Sequence, residues 1–356
     1  MRLVTIIPSN GKADDTGTHQ VAVVLANGRL LTLGTLAKLT PYRLAEEIQE
    51  LSLATVVGLD PSLTAIREAL GEIAAETLQE IAIDPTTVRL GPPVPRPGKI
   101  VGVGYNYLDH IREQGLERPA RPVLFSMFAN AVTGDGEPVR RPAGTHALDF
   151  EAELAVVIGR HASGVKPEKA LSCVAGYTAA NDITARDWQG QARALGPGER
   201  GDGQWLRAKG SDTFLPLGPS LVPAGELGDG SGLRVRSWLR RAAGGEADEA
   251  VLMQDGNTSD MLFGVGELVS LISREVTLEP GDVIVTGTPS GVGVFREPPV
   301  FMEPGDVVRI EIEGIGSLTS PIADERGIVP AGSPAEREMA RRSRAVHTLP
   351  AVPLAR

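Results

Sequence analysis

Between Gly91 and Pro97 the chain reads Gly-Pro-Pro-Val-Pro-Arg-Pro. Four prolines in seven residues fix φ and remove backbone donors, so this stretch can form neither a helix interior nor a central strand. It is the strongest boundary in the sequence. It divides the chain into a small N-terminal α/β accessory unit over 1–95 and a larger unit over 96–325, and a basic, mobile tail is expected over 326–356.

The N-terminal unit has its own punctuation. Val21–Leu25 and Arg29–Leu33 flank Asn27-Gly28, which predicts a hairpin with a type I′ turn. Thr40-Pro41 predicts a helix running to about Leu51. Asp60-Pro61 predicts another, with Leu63, Ile66, Leu70 and Ile73 on one face. A net charge of −10 argues against nucleic acid or an anionic membrane as partner. No apolar run approaches the roughly 20 residues of a membrane span. Met1–Pro8 is too short an apolar run for a secretory leader, and the single cysteine, Cys173, reads as a packed residue in a reducing cytoplasm.

Beyond the prolines, short apolar runs alternate with turns, in keeping with 42 glycines and 27 prolines. Strands are predicted at Ile100–Gly104, Leu154–Gly159, Tyr177–Ala180, Val283–Thr286 and Val307–Ile312. The last two each follow a Pro-Gly-Asp turn, at 280–282 and 304–306.

The chemistry-bearing residues sit at the ends of these runs. Glu151 and Glu153 precede the Leu154 strand, and at i, i+2 they share a face with their Cα atoms about 6.5–7 Å apart. Such a pair is either the solvated end of a strand or part of an oxygen cage for Mg²⁺, Mn²⁺ or Ca²⁺. Asp182 or Asp187, in Asn181-Asp182-Ile183-Thr184-Ala185-Arg186-Asp187, could supply a third carboxylate; alternatively Asp182 caps a helix. His110 and Glu113 lie at i, i+3, a spacing that lets a carboxylate orient an imidazole as a general base. Lys209 follows a glycine-rich loop over 190–203 and could hold an anionic substrate or an enolate. The backbone amides of Gly287–Gly293 could bind a carboxylate.

Taken in order, Tyr105–Glu113, Phe150–Leu154, Asn181–Asp187, Lys209-Gly210, Gln254–Met261 and Pro280–Gly293 resemble the fumarylacetoacetate hydrolase superfamily over about Lys99 to Ala323. The resemblance implies an α+β fold, a mixed β-sheet roll with helices outside it, and a homodimer. It implies that Glu151, Glu153 and Asp182 bind Mg²⁺ or Mn²⁺, and that His110 with Glu113 forms a catalytic pair on a mobile lid. Lys209 becomes a catalytic group facing the substrate, and Tyr105, Arg186, Gln189 and Thr288 become substrate contacts. Fumarylacetoacetases proper carry a further metal-binding aspartate where this chain has Val103, so the resemblance is to a bacterial-type relative with three carboxylates.

The first expectation is therefore metal-dependent hydrolysis of a carbon–carbon bond in a β-diketo acid such as an acylpyruvate. Decarboxylation, isomerisation or hydration of a related 2-oxo acid is the alternative, because each passes through a stabilised enolate. A non-catalytic metal-binding protein is the third reading.

Overall fold

A computed structural model describes residues 1–7, 19–40, 52–242 and 249–344. Its framework is an eleven-stranded mixed sheet. The main path runs Leu30–Thr32, Gln20–Val24, Arg2–Ile7, Leu215–Pro223, Val174–Asn181, Ala152–Ile158, Val283–Val285, Ile100–Gly104 and Val123–Met127. A five-stranded sheet packs against it, ordered Val251–Asn257, Arg234–Arg240, Val307–Ile312, Gly316–Ala323 and Val139–Arg140. Among the described residues pairing is antiparallel except at three junctions, one being Val283–Val285 beside Ile100–Gly104. The class is α+β, as expected.

The central strand Ala152–Ile158 shows why these runs are continuously apolar. Ala155 and Val157 enter one core cluster while Leu154, Val156 and Ile158 enter a second on the opposite face. Both faces are buried, so no polar alternation survives. Glu153 is on the Ala155 face, at the end where the strand meets its neighbours' tips. The two Pro-Gly-Asp turns are built alike: Gly281 and Gly305 take positive φ, and Asp282 and Asp306 accept the N–H of Glu279 and Glu303.

The N-terminal strands join the large sheet through Leu3 opposite Leu221, across the proline-rich boundary. The expected hairpin forms, but its loop has Gly28 alone in the left-handed region (φ +79°), closed by Leu25 N–H to Arg29 O, so it is not a two-residue type I′ turn. The chain turns helical at Leu33, and Thr40 ends the helix Leu33–Leu39; the helix expected from Thr40-Pro41 to about Leu51 lies outside the described residues. Asp60 closes the helix Leu53–Leu59, and its carboxylate accepts the N–H groups of Thr64, Ala65 and Ile66, opening Thr64–Gly71. Leu63 and Ile66 are fully buried there.

The tail expectation is corrected in part. Pro334–Arg344 is a helix whose Arg342 reaches Asp135 at 2.6 Å and Glu338 at 2.8 Å. Both carboxylates are buried, so the arginine-rich stretch is held down by partners far away in sequence or one turn back. Among the described residues no helix is long and apolar enough to cross a membrane.

Candidate active site

Register assembles the acidic cluster. Ala152 pairs with Asn181 and Glu153 with Ala180, so Glu151, just before one strand, meets Asp182, just after the other. Asp182 N–H donates to Glu151 O at 3.0 Å, fixing that junction. Oxygen atoms of Glu151, Glu153 and Asp182 lie within 4.8 Å of one another, all three side chains buried. Asp187 faces elsewhere, accepting from Thr145 Oγ1 at 2.6 Å and His146 N–H at 3.2 Å. Asp182 caps no helix: the next one begins at Arg186 after Ala185.

Two buried cations face this trio. Lys209 Nζ donates to Glu151 at 2.9 Å, Asp182 at 2.6 Å and Thr184 Oγ1 at 2.7 Å. Arg186 contacts Glu151 Oε1 at 2.7 Å through Nη2 and donates to Asp149 at 2.9 Å and Gln189 Oε1 at 3.1 Å. Burial pushes the Glu151 carboxyl up, but Lys209 and Arg186 outweigh it and hold the group at about 2. Burial and the charge of Glu151 push Asp182 up to about 7, against the pull of Lys209. Glu153 rises well above the carboxylate range through burial and the charges of Asp182 and Glu151. Two of the three carboxylates thus lack enough positive charge, and Asp182 Oδ1 has no hydrogen-bond partner among the described residues. An all-oxygen trio with an orphaned lone pair and excess negative charge suits a hard divalent cation.

Glu151 and Glu153 line a cavity of about 140 Å³ shared with Val103, Tyr105, His110, Gln189, Thr288 and Lys209, and Asp182 sits beside those two carboxylates. Val103 contributes an apolar side chain to the same cavity. His110 Nδ1 is 2.6 Å from Glu113 Oε1, which leaves Nε2 as the ring's second nitrogen, and the ring packs edge-on to Phe295 at 5.9 Å. Tyr105 takes φ +55°, and burial pushes its hydroxyl pKa up.

The Gly287–Gly293 amides do not await a ligand. Gly287 N–H donates to Glu153 at 2.7 Å, Ser290 to Asp109 at 3.0 Å and Gly291 to Glu113 at 3.1 Å. Gly293 and Val294 donate to Asp149 at 2.8 and 3.0 Å. One loop therefore clamps four of the protein's own carboxylates. Thr288 lines the cavity, but its hydroxyl donates to Ala152 O and accepts from Gln254 Nε2. Gln254 spends its remaining capacity on Ala152, Ser237 and Pro289, making it a strut between the sheets.

Sequence reasoning assigned no role to Asp149, Asp109, Phe125 or Trp205. Asp149 carried one signal, since it precedes Glu151 and Glu153 at the same two-residue interval.

Fold and site together define an α+β enzyme with a buried carboxylate trio facing an oriented histidine. Residues 99–323 match the family model described as fumarylacetoacetate (FAA) hydrolase C-terminal, and the chain belongs to the fumarylacetoacetate hydrolase family. It is 41% identical over 273 residues to the mitochondrial oxaloacetate tautomerase fahd2 of Xenopus laevis, 74% of this chain and 80% of that protein. The mitochondrial oxaloacetate tautomerase FAHD2B of Bos taurus is 45% identical over 230 residues, 65% of this chain and 68% of that protein. Among solved structures, the fumarylacetoacetate hydrolase of psychrophilic Exiguobacterium antarcticum superposes with a TM-score of 0.68 at 30% identity, covering 91% of this chain and all of that one. The 5-carboxymethyl-2-hydroxymuconate delta-isomerase of Mycobacterium smegmatis gives 0.61 at 30% identity, covering 91% and 99%.

Proposed function

We propose that the protein is a divalent-metal-dependent tautomerase of a short 2-oxo acid of the oxaloacetate class, interconverting its enol and keto forms. The observation that carries this reading is His110, paired with Glu113, on the wall of the cavity that Glu151 and Glu153 of the carboxylate trio also line. Enol–keto exchange moves one proton between oxygen and C3, and one oriented imidazole suffices for that. The relatives named as oxaloacetate tautomerases support the same choice over carbon–carbon hydrolysis.

Glu151, Glu153 and Asp182 would hold Mg²⁺ or Mn²⁺, which when bound supplies Lewis-acid stabilisation of negative charge on oxygen. His110 Nε2 removes a C3 proton in the enolising direction, breaking C–H while the electron pair moves onto the 2-oxo oxygen. Glu113 holds the other ring nitrogen and stabilises the imidazolium. The imidazolium then gives that proton to the 2-oxo oxygen, completing the enol, and ketonisation runs the two transfers in reverse. Lys209, desolvated beside the trio, places a fixed positive charge where the oxyanion develops.

Hydrolysis of a β-diketo acid stands second, supported by the Exiguobacterium hydrolase at 30% identity. Proton NMR separates the two. Enol-oxaloacetate and acetylpyruvate are each incubated with metal-loaded protein. Accelerated ketonisation of oxaloacetate without cleavage supports tautomerisation; release of acetate and pyruvate from acetylpyruvate, with no effect on oxaloacetate, contradicts it.

A further inference from the structure

Resting on the oxo-acid reading above, we propose that Trp205 and Phe125 set the length limit of the substrate and hold the enzyme to short-chain 2-oxo acids. The cavity of about 140 Å³ is small, against roughly 300–1,000 Å³ for sites that take drug-sized ligands. One of its walls is aromatic. Trp205 packs edge-on to Tyr105 with ring centroids 5.8 Å apart and to Phe125 at 5.3 Å.

That wall is founded on the strand Ile100–Gly104. Gly102 and Gly104 lie at i, i+2 and so on one face. A Cβ at Gly102 would lie 2.1 Å from the Phe125 ring, and one at Gly104 would lie 2.9 Å from the Trp205 ring. Neither glycine has positive φ, so the backbone does not demand glycine there; the rings do. Gly102 stands directly opposite Phe125 in the antiparallel register, and the ring covers the bare backbone.

The wall is also anchored to the charged end of the cavity. Lys209 Nζ is 5.1 Å from the Phe125 ring centroid, and Trp205 opens the five-residue helix that ends in Lys209. A 2-oxo acid held by its oxygens at Lys209 therefore has aromatic side chains beside it where a bulky substituent would extend. A four-carbon diacid fits that space, and an aryl substituent collides with the rings.

The test uses binding, which is independent of turnover. Oxamate and N-phenyloxamate present the same two-carbon head with and without a bulky tail. Calorimetry with the Mn²⁺-loaded protein is expected to show oxamate binding to wild type and N-phenyloxamate binding at least about tenfold more weakly. Trp205→Ala and Phe125→Ala should each close that gap by about tenfold, while Trp205→Phe keeps it. Melting temperature and Mn²⁺ affinity, measured on every variant, show whether the site itself survives. An unchanged oxamate to N-phenyloxamate ratio in both alanine variants with Mn²⁺ affinity intact overturns the wall alone. Equal binding of the two ligands to wild type does the same. Failure of wild type to bind oxamate at all overturns the oxo-acid reading and the wall with it. Loss of oxaloacetate tautomerisation with the ligand preference intact overturns only the reaction.

Discussion

Asp149 Oδ2 and Arg186 Nε form an ion pair at 2.9 Å, with side-chain exposures of 0% and 4%. Through it the Gly293 and Val294 amides are connected to Glu151, because Arg186 also contacts that carboxylate at 2.7 Å. The loop that holds Glu113 through Gly291 thus also steadies a member of the acidic trio. Asp149→Asn leaves a buried guanidinium short of one charge partner. Urea unfolding is expected to show a loss of about 3 kcal/mol. A change within experimental error would mean that the pair contributes nothing to stability.

The histidine pair gives a second expectation. His110→Ala should lower kcat by about 10²–10⁴ while leaving Mn²⁺ affinity unchanged, because the imidazole moves a proton and holds no ion. Glu113→Gln should lower kcat less, because the imidazole stays in place but loses the charge that stabilises its protonated form. Parallel losses of kcat and metal affinity would place His110 in the cation site instead.

Lys209 occupies two of the carboxylates that a cation would use, at 2.9 and 2.6 Å. Burial pushes its pKa down, but Asp182 and Glu151 outweigh that and hold the ammonium charged. Lys209→Met removes both competition and repulsion, so Mn²⁺ binding should tighten about tenfold or more while turnover collapses. Calorimetry and steady-state kinetics on the one variant read both effects; weaker Mn²⁺ binding would show that the ammonium helps to shape the trio.

The strands were legible because burial on both faces leaves uninterrupted apolar runs, as at Leu154–Ile158, and because Pro-Gly-Asp turns announce their own geometry. The trio was legible as a set of residue types, but its assembly was not. Periodicity tells which face Glu151 and Glu153 share, whereas the Ala152–Asn181 register that delivers Asp182 is a tertiary fact. The Gly287–Gly293 loop shows the same limit. Its amides are visible in sequence, yet the carboxylates that claim them, Glu153, Asp109, Glu113 and Asp149, come from two distant segments. Local composition misled at the tail, where the arginines suggested solvent and the partner Asp135 lies 207 residues away.

That tail helix carries a pH dependence of known sign. Burial pushes Glu338 up, but its hydrogen bonds from Arg341 and Arg342 outweigh burial and hold it below its ordinary 4.5. A depressed carboxyl contributes stability above its unfolded value and loses it as pH falls through the lower folded value. Helix docking should therefore persist at neutral pH and weaken below about pH 4.5. Arg342→Met should weaken that acid-sensitive step, Arg341 remaining as a partner of Glu338, and cost about 2 kcal/mol. Hydrogen exchange along Pro334–Arg344 between pH 3.5 and 7 checks both expectations, and uniform protection across that range would contradict them.

The most direct test of the central claim is the decay of enol-oxaloacetate absorbance on mixing with protein. Wild type loaded with Mg²⁺ or Mn²⁺ is expected to accelerate it, chelator-treated protein and His110→Ala to lose that acceleration, and metal readdition to restore the chelated sample alone. Acceleration that survives chelation, or that His110→Ala retains in full, would contradict an enol–keto exchange run by a carboxylate-held cation and an oriented histidine.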